Sequence, residues 1–378
     1  MTVNALLVFE DGTHVRGLGF GATGTVFGEA VFNTGMTGYQ EVLTDPSYRR
    51  QIVIMTSPHI GNYGMHPDDQ ESDRMQVAGF VVREAARRPS SWRSHGNLRD
   101  SMFSAGTVGI EGVDTRWLTR TLRERGAMRA AISTEILDVD ELVAKTADSP
   151  GMQGAELASE VTTAAPYVIE ADDQQRCRIV AIDFGMKRSI GRQLAAHGAQ
   201  VHVLPADSTA DDVLALEPDG VMLTNGPGDP AAVRNGIETT HALLGNVPVF
   251  GICLGSQLLG HALGAATYKL RFGHRGINQP VLRTADRVVE ITSHNHGFAV
   301  DPAGLGREIR AGVFETSDFG NVTVSHRNLN DDVCEGLDAP EVHAFSVQYH
   351  PEAAPGPSDA HYLFDRFLDR ITTVKGAA

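Results

Sequence analysis

Short apolar runs separated by glycine-rich turns dominate the first 150 residues of the 378-residue chain. The runs at 5–9 and 25–32 have the length and the β-branched and aromatic content of strands. A helix is also expected at 117–125, since Gly126 follows it at the position where helices commonly end. The segment 1–150 is therefore expected to form a β-rich α+β domain.

The hydrophobic pattern changes at Arg178, where strand-like apolar runs begin to alternate with segments of helical spacing. This alternation predicts an α/β domain with a doubly wound, mainly parallel sheet, whose working site lies at the carboxyl ends of the strands. The polar and irregular residues 151–176 are the best candidate for a linker. The second domain is then expected at 177–378.

A strand, a sharp turn and a helix are predicted around Cys253. Gly251 and Gly255 flank this cysteine in the pattern Gly-x-Cys-x-Gly, in which small residues let a strained turn lift one side chain out of a sheet. The turn also sets the sulfur near a helix N-terminus, which favours the thiolate. A buried apolar cysteine at a strand end is the alternative. The spacing alone leaves both interpretations open.

Two other predicted strand ends carry groups that a cysteine nucleophile needs. In the loop at 224–230, the backbone N–H groups of Gly226 and Gly228 can donate to an oxyanion or a carboxylate, although a tight strand-to-helix turn explains the same sequence. Near the C-terminus a strand breaks at His350-Pro-Glu352, where the carboxylate can orient the imidazole that acts as the base. Together the motifs predict a cysteine–histidine–glutamate triad.

Composition limits the compartment and the partners. Lysine and arginine number 32 against 47 aspartates and glutamates, and the net charge of −15 disfavours nucleic acid or an anionic membrane as the main partner. No apolar run approaches the roughly 18 residues of a membrane span, and the N-terminus lacks the basic region of a signal peptide. A cytoplasmic protein is expected. Cys177, Cys253 and Cys334 are too widely spaced to indicate a disulfide framework or a thiolate zinc site.

Three further patterns resemble binding motifs only in part. Residues 19–24 match Gly-x-Gly-x-x-Gly, but a strand-like segment follows, so a turn-rich loop is expected there and not a dinucleotide site. His294 and His296 could place two imidazoles on one strand face, yet no third ligand has a sensible spacing, so no metal site is expected. No Gly-x-x-x-x-Gly-Lys-Ser/Thr segment is found, so nucleotide chemistry is expected on another chain.

The segments 224–230, 251–257 and 348–352 together resemble the class I glutamine amidotransferases. The resemblance implies that Cys253 attacks the side-chain amide of L-glutamine to give a glutamyl thioester, with His350 as general base and acid and Glu352 as its orienting partner. The oxyanion hole and the glutamine site would be formed at positions on these and neighbouring loops, namely Gly226 and Leu254 for the oxyanion, and Gly228, Gln257, Asn295, Gly297 and Phe298 for glutamine.

The first domain narrows the resemblance. Segments 32–41, 44–48 and 112–116 look like the N-terminal domain of carbamoyl phosphate synthase small chains, so the likeness covers nearly the whole chain. It implies that Ser47 reaches the glutamine site of the second domain. It also implies a heterodimer with a large synthetase subunit, which uses ATP, Mg²⁺, bicarbonate and the released ammonia, whereas this chain needs no cofactor. Whether the product serves arginine or pyrimidine synthesis stays open.

The chain departs from the family pattern at positions outside the triad. The family often has histidine where this chain has Ser256, and a His-His and an Asn-His pair where it has His274-Arg275 and Asn278-Gln279. Three alternatives are weaker. A subunit of another synthase leaves the first domain unexplained, a non-catalytic scaffold does not need a complete triad, and a peptidase does not need both the glycine loop and the His-Pro-Glu ending.

Overall fold

The computed structural model describes residues 3–377, so Met1, Thr2 and Ala378 lie outside the described part of the domains expected at 1–150 and 177–378. The chain divides into two compact units. The first contains Met1–Gln153 and Arg271–Gly276, and the second contains Gly154–Leu270 and Ile277–Ala378. Within the described range, none of the helices combines the length and the apolar character that a membrane crossing demands.

The first unit is built on a closed barrel with the strand order β1-β2-β8-β6-β4-β3-β9. Its strands within the described residues are β1 Val3–Phe9, β2 His14–Gly21, β3 Thr25–Asn33, β4 Gln51–Met55, β5 His59–Ile60, β6 Gly79–Val81, β7 Glu84–Ala85, β8 Val108–Glu111 and β9 Met128–Ser133. Its helices in the same range are α1 Tyr39–Thr44, α2 Leu98–Ser104, α3 Thr115–Arg125 and α4 Val139–Ala147.

Local sequence explains two of these elements. The helix expected at 117–125 begins earlier, at Thr115, because the Asp114 side chain accepts from the Trp117 N–H, and it ends at Gly126 with φ 104°. Residues 19–24, expected as a turn-rich loop, instead contribute Gly19 and Gly21 to β2. Glycine is needed there because a Cβ on Gly21 would lie 2.5 Å from a backbone oxygen of the neighbouring chain segment.

The second unit contains a sheet of twelve strands among the described residues, in the order β10-β12-β11-β13-β14-β21-β20-β16-β15-β19-β18-β17. The strands are β10 Tyr167–Ile169, β11 Cys177–Asp183, β12 Ala199–Pro205, β13 Gly220–Leu223, β14 Val249–Ile252, β15 Ala266–Arg283, β16 Val289–Asp301, β17 Arg307–Arg310, β18 Val313–Glu315, β19 Asn321–Asn328, β20 Cys334–Ala339 and β21 Ala344–Val347. The helices are α5 Arg188–Ala196, α6 Ala210–Leu214, α7 Arg234–Leu243, α8 Leu254–Ala262 and α9 Tyr362–Ala377.

The sheet has a parallel half and an antiparallel half. Strands β12, β11, β13, β14 and β21 run parallel to one another. From β21 onward, β20, β19 and β18 pair antiparallel, as β10 does with β12 at the opposite edge. The expectation of a mainly parallel sheet therefore describes one half only. Antiparallel strands need only short connections. The later strands therefore lack the alternating helices from which the parallel half was predicted.

Helices cover both faces of the parallel half. One buried cluster combines strand residues with α7 and α8, including Leu223, Leu243 and Leu258. The cluster on the other face combines strand residues with α5 and α9, including Leu194 and Phe367. Because both faces are apolar and covered, this half is doubly wound, and polar chemistry is left to the strand ends.

Residues 151–176 belong to the second unit from Gly154 onward, so the expected linker is part of a folded body. Its strand β10 pairs antiparallel with β12, Tyr167 opposite Val203. The segment also contacts the glycine loop, since the Gly154 N–H donates to Asp229 Oδ2 at 2.8 Å. The apolar run Tyr167–Ile169 is only three residues long and lies in an otherwise polar segment, so the composition did not indicate a strand.

Candidate active site at the ends of four parallel strands

Cys253 lies between β14 and α8 in a strained turn. Its φ of 55° and ψ of −104° are rare for a residue with a side chain, and it is the residue that caps α8 at its N-terminus. A Cβ on Gly255 would lie 2.1 Å from Leu223 O, and one on Gly251 would lie 2.6 Å from Gly255 O. Only glycine therefore fits at both flanking positions, and the turn presents the sulfur at the carboxyl end of β14.

The backbone holds the nucleophile strand beside the base strand. β14 and β21 are parallel neighbours, with Ile252 opposite Val347, and the Cys253 N–H donates to Val347 O at 2.9 Å. The chain leaves β21 three residues before His350, whose own N–H donates to Ser293 O at 2.8 Å. The two motifs, almost 100 residues apart in sequence, thus meet at one edge of the sheet.

The predicted base and its orienting carboxylate are in contact. His350 Nδ1 donates to Glu352 Oε1 at 2.7 Å, and both side chains are fully buried. A histidine whose Nδ1–H is held by a carboxylate presents Nε2 as its working nitrogen. His350 Nε2 is buried, and among the described residues no atom lies in a position to form a well-aligned hydrogen bond with it. The Cys253 thiol nevertheless interacts with this imidazole.

Lys187 was not anticipated as a site residue. It follows β11, and its Nζ donates to Glu352 Oε1 and to Ala353 O, both at 2.8 Å, with only 4% of its side chain exposed. The available signal was a lysine just beyond the carboxyl end of a buried parallel strand, the edge on which the other site residues lie. Its position makes a line of charged groups from Lys187 through Glu352 to His350.

These charges set the ionisation of the pair. Burial by itself lowers the pKa of His350, but the carboxylate of Glu352 outweighs it and raises the pKa to about 10. Burial by itself raises the pKa of Glu352, but the charges of Lys187 and His350 outweigh it and lower the pKa to about 2. At neutral pH the pair is therefore an imidazolium and a carboxylate.

The two positions expected to form an oxyanion hole are packed together. A Cβ on Gly226 would lie 2.8 Å from Leu254 Cδ2 and 2.2 Å from Phe184 O, so a larger residue would separate the loop from the elbow. The Leu254 N–H belongs to the first residue of α8 and has no partner inside the helix. Both sites lie next to Cys253, where a tetrahedral intermediate would form.

Residues expected to hold glutamine are connected to one another. Gln257 Nε2 donates to Phe298 O at 2.8 Å and to Gln348 Oε1 at 3.0 Å, which ties α8 to β16 and to the base segment. Asn295, on β16, offers its backbone oxygen to Cys253 Sγ at 3.6 Å. Gly297 lies between Asn295 and Phe298 on the same strand.

Gly228 belongs to the second unit and Ser47 to the first. Gly228 has φ 96°, and a Cβ there would lie 2.6 Å from Ala155 O, so the loop at 224–230 depends on glycine at this point as well. Ser47 is in the first unit, buried in the 3₁₀ turn Pro46–Tyr48, where its N–H donates to Asp45 Oδ1 at 2.9 Å.

The residues that depart from the family pattern make local hydrogen bonds. Ser256, where a histidine is common, is buried behind the elbow, and its Oγ lies 2.9 Å from Ser346 Oγ. Arg275 donates from Nη1 to Phe272 O at 2.9 Å. Gln279 Oε1 accepts from Asn330 Nδ2 at 2.9 Å. None of the three contacts a triad side chain through these bonds.

Comparison with known proteins settles the family. Residues 7–132 match the family model "Carbamoyl-phosphate synthase small chain, CPSase domain", and residues 180–370 match "Glutamine amidotransferase class-I". A carbamoyl phosphate synthase small chain of Streptomyces coelicolor is 52% identical over 97% of this chain and 95% of its own. The chain belongs to the carbamoyl phosphate synthase small chain family.

Other members give the same result. A carbamoyl phosphate synthase small chain of Nostoc sp. is 51% identical over 99% of this chain and 96% of its own, and one of Rhodopirellula baltica is 48% identical over 97% and 96%. The resemblance to the small-chain family is thereby confirmed, and the chain is a glutamine amidotransferase with the role of a glutaminase subunit. Its residue roles, by contrast, rest on the geometry described above.

Proposed function

We propose that this chain hydrolyses L-glutamine to glutamate and ammonia through Cys253, His350 and Glu352. The observation that carries the proposal is the buried hydrogen bond of 2.7 Å between His350 Nδ1 and Glu352 Oε1, which lie just beyond β21, the neighbour of the strand that leads into Cys253. An imidazolium beside a sulfur at a helix N-terminus favours the thiolate, which is the nucleophile.

In the first half of the reaction the Cys253 thiolate attacks the side-chain amide carbon of glutamine. The carbonyl oxygen becomes an oxyanion that accepts from the backbone N–H groups of Leu254 and Gly226. The C–N bond then breaks, and the imidazolium of His350 gives its proton to the leaving nitrogen, which departs as ammonia. The product is a glutamyl thioester on Cys253.

In the second half, water attacks the thioester carbon while His350, now neutral, takes a proton from it. The C–S bond breaks, glutamate leaves, and the thiolate–imidazolium pair of Cys253 and His350 is restored. Glu352 keeps the imidazole in the orientation that presents Nε2 and stabilises its charged form, and Lys187 holds Glu352 in its ionised state.

Glutamine binding is assigned to groups from several elements. The proposed contacts are made by Gly228, Gln257, Asn295, Gly297 and Phe298, with Ser47 contributed by the first unit. The hydrogen bonds of Gln257 to Phe298 O and Gln348 support this assignment, because they fix the α8 side of the site before substrate arrives.

The ammonia is proposed to pass to a large synthetase subunit in a heterodimer. That subunit would use ATP, Mg²⁺ and bicarbonate to form carbamoyl phosphate for arginine or pyrimidine synthesis in the cytoplasm, while this chain itself uses no cofactor. A non-catalytic scaffold is the competing function. It is disfavoured by the strained φ of 55° at Cys253, since a scaffold has no use for a backbone strain that aims a sulfur at a buried histidine and carboxylate.

Replacement of Cys253 by alanine in the assembled complex tests this division of labour. Glutamine-dependent carbamoyl phosphate formation should disappear, whereas synthesis from added ammonia should continue at its normal rate. Cys177→Ala, at a buried cysteine at the start of β11, is the matched control and should keep both activities. Loss of both activities in Cys253→Ala alone would contradict the proposal.

A further inference from the structure

Three side chains with metal-binding atoms converge inside the second unit, away from the triad. His294 and His296 project from β16, and Glu335 projects from β20. His294 Nδ1 lies 3.1 Å from His296 Nε2, and the carboxylate of Glu335 lies 3.7 Å from the first nitrogen and 3.9 Å from the second. All three side chains are at most 1% exposed. Glu335 is the third group that the sequence pattern did not supply.

The hydrogen bonds on the far side of each ring fix which nitrogen carries the proton. His296 Nδ1 lies 2.8 Å from Phe298 O, and because a carbonyl can only accept, Nδ1 is the donor. His294 Nε2 lies 2.8 Å from Thr292 Oγ1, whose hydroxyl proton goes to Gln279 O at 2.9 Å, so Nε2 is the donor here too. In the neutral rings, His294 Nδ1 and His296 Nε2 are therefore both acceptors.

Two imidazole nitrogens 3.1 Å apart beside a carboxylate bring electron-rich atoms together in a buried place, which suits a positive species such as a metal ion. Histidine ligands of metals typically donate their other ring N–H to a carbonyl or carboxylate, which is the arrangement that His294 and His296 show. Glu335 Oε1 is oriented in the same manner by Asn328 Nδ2 at 2.9 Å.

The distances fit a zinc ion. Zn–N and Zn–O bonds of about 2.0–2.2 Å place the ligand atoms of a tetrahedral site roughly 3.3–3.5 Å apart. The two nitrogens are 3.1 Å apart, His294 Nδ1 lies 3.7 Å from Glu335 Oε1, and His296 Nε2 lies 3.9 Å from Glu335 Oε2, all within about half an ångström of this range. Two imidazoles and one carboxylate are also a ligand set that zinc uses, whereas Mg²⁺ and Ca²⁺ prefer oxygen ligands alone.

We propose that His294, His296 and Glu335 bind one Zn²⁺ ion. The ion joins β16 to β20, which meet in the sheet at Val300 and Cys334. It thereby fixes the strand that carries Asn295, whose backbone oxygen contacts Cys253 Sγ. Metal binding at this cluster does not depend on glutamine hydrolysis, so measurements of bound metal test it separately from the proposed function.

The test uses the full chain, stripped with a chelator and then dialysed against micromolar Zn²⁺ before its metal content is measured. About one zinc per chain should be retained, and it should raise the midpoint of thermal unfolding. His294→Gln and Glu335→Gln should each weaken zinc binding by more than the roughly 10–100-fold that loss of an outer partner costs. His326→Gln, at a buried histidine on β19 outside the cluster, is the control and should retain the ion.

A measurement on the unmodified chain guards against variants that fail to fold. Co²⁺ in place of zinc should give the visible absorption of a tetrahedral site at one equivalent, and added Zn²⁺ should abolish it. If the unmodified chain retains no zinc and gives no such absorption, the proposal is wrong. Equal loss of zinc in His326→Gln would likewise overturn the assignment of the ligands.

Discussion

Lys187 Nζ lies 2.8 Å from Glu352 Oε1, and neither side chain is more than 4% exposed. A buried ion pair has little net stabilising effect by itself, but removal of one partner leaves an uncompensated charge. Here the Glu352 carboxylate also accepts a hydrogen bond from His350 Nδ1, so a change at Lys187 affects the histidine as well. We therefore expect the lysine to act on the reaction through Glu352, as a positioning residue.

Lys187→Met should lower kcat for glutamine hydrolysis more than it raises KM, since the orientation and charge of His350 matter most in the transition state. The free energy of unfolding should fall by about 3–5 kcal/mol, as for other broken buried pairs. Kinetics and denaturant unfolding measure the two effects. Lys375→Met, which removes a half-exposed lysine beside Asp219, should cost less than about 1 kcal/mol and leave kcat unchanged. Equal behaviour of the two variants would rule out the positioning role.

Glu352→Gln should move the alkaline limb of the kcat/KM profile for glutamine to lower pH. The carboxylate raises the pKa of His350 to about 10, so its removal lowers that pKa and the imidazolium is lost earlier as pH rises. A pH profile of the glutaminase reaction measures the shift. Glu315→Gln, at an exposed carboxylate paired with Arg307, should leave the profile in place. An alkaline limb that stays fixed in Glu352→Gln would contradict the assigned role.

Gly255→Ala should destabilise the second unit by about 1–3 kcal/mol and abolish glutamine hydrolysis, because the added Cβ would lie 2.1 Å from Leu223 O and force the elbow open. Thermal unfolding and a glutaminase assay report the two losses. Gly151→Ala is the comparison, since a Cβ there meets no atom within 4 Å, and its effect should stay within about 0.5 kcal/mol. Full activity in Gly255→Ala would show that the turn tolerates a larger residue.

Ser47→Ala should raise KM for glutamine about tenfold, the effect of losing one hydrogen bond to a charged substrate group. The bonds that the Ser47 backbone makes with Asp45 Oδ1 and Gln51 Nε2 are kept in this variant. Steady-state kinetics with glutamine and with ammonia separate binding from synthesis. Ser104→Ala, at an exposed serine on α2, should change neither. An unaltered KM in Ser47→Ala would remove the first unit from glutamine binding.

The elbow was predictable because its requirements are local. Gly251 and Gly255 each lie two positions from Cys253, and the clashes that exclude other residues involve the turn itself and one neighbouring strand. The break at Pro351 is equally local. Lys187 and Glu335 were missed for the opposite reason, since each acquires its partner only when distant strands pair, and no spacing in the sequence records that pairing.

The sheet was predictable for the half in which helices separate the strands, because the change of period marks every element. The antiparallel half has no such markers. Its strands follow one another closely, and β19 alternates buried and partly exposed side chains instead of forming a continuous apolar run. The strand β10 fell within a predicted linker because the residues around it are polar and irregular, and its pairing with β12 makes it part of the sheet.

The hydrogen bond from the Cys253 N–H to Val347 O extends the ladder between β14 and β21 up to the nucleophile itself. The gap between the Cys253 sulfur and the His350 imidazole is therefore set by main-chain hydrogen bonds. Every residue except proline can both donate and accept such bonds. A substitution on these strands that leaves the backbone ladder intact should therefore leave that gap unchanged, whereas one at Gly251 would not. A designer who wished to direct the same thiolate at another acyl substrate could reshape the lining of the site and leave the spacing of its two reactive groups intact.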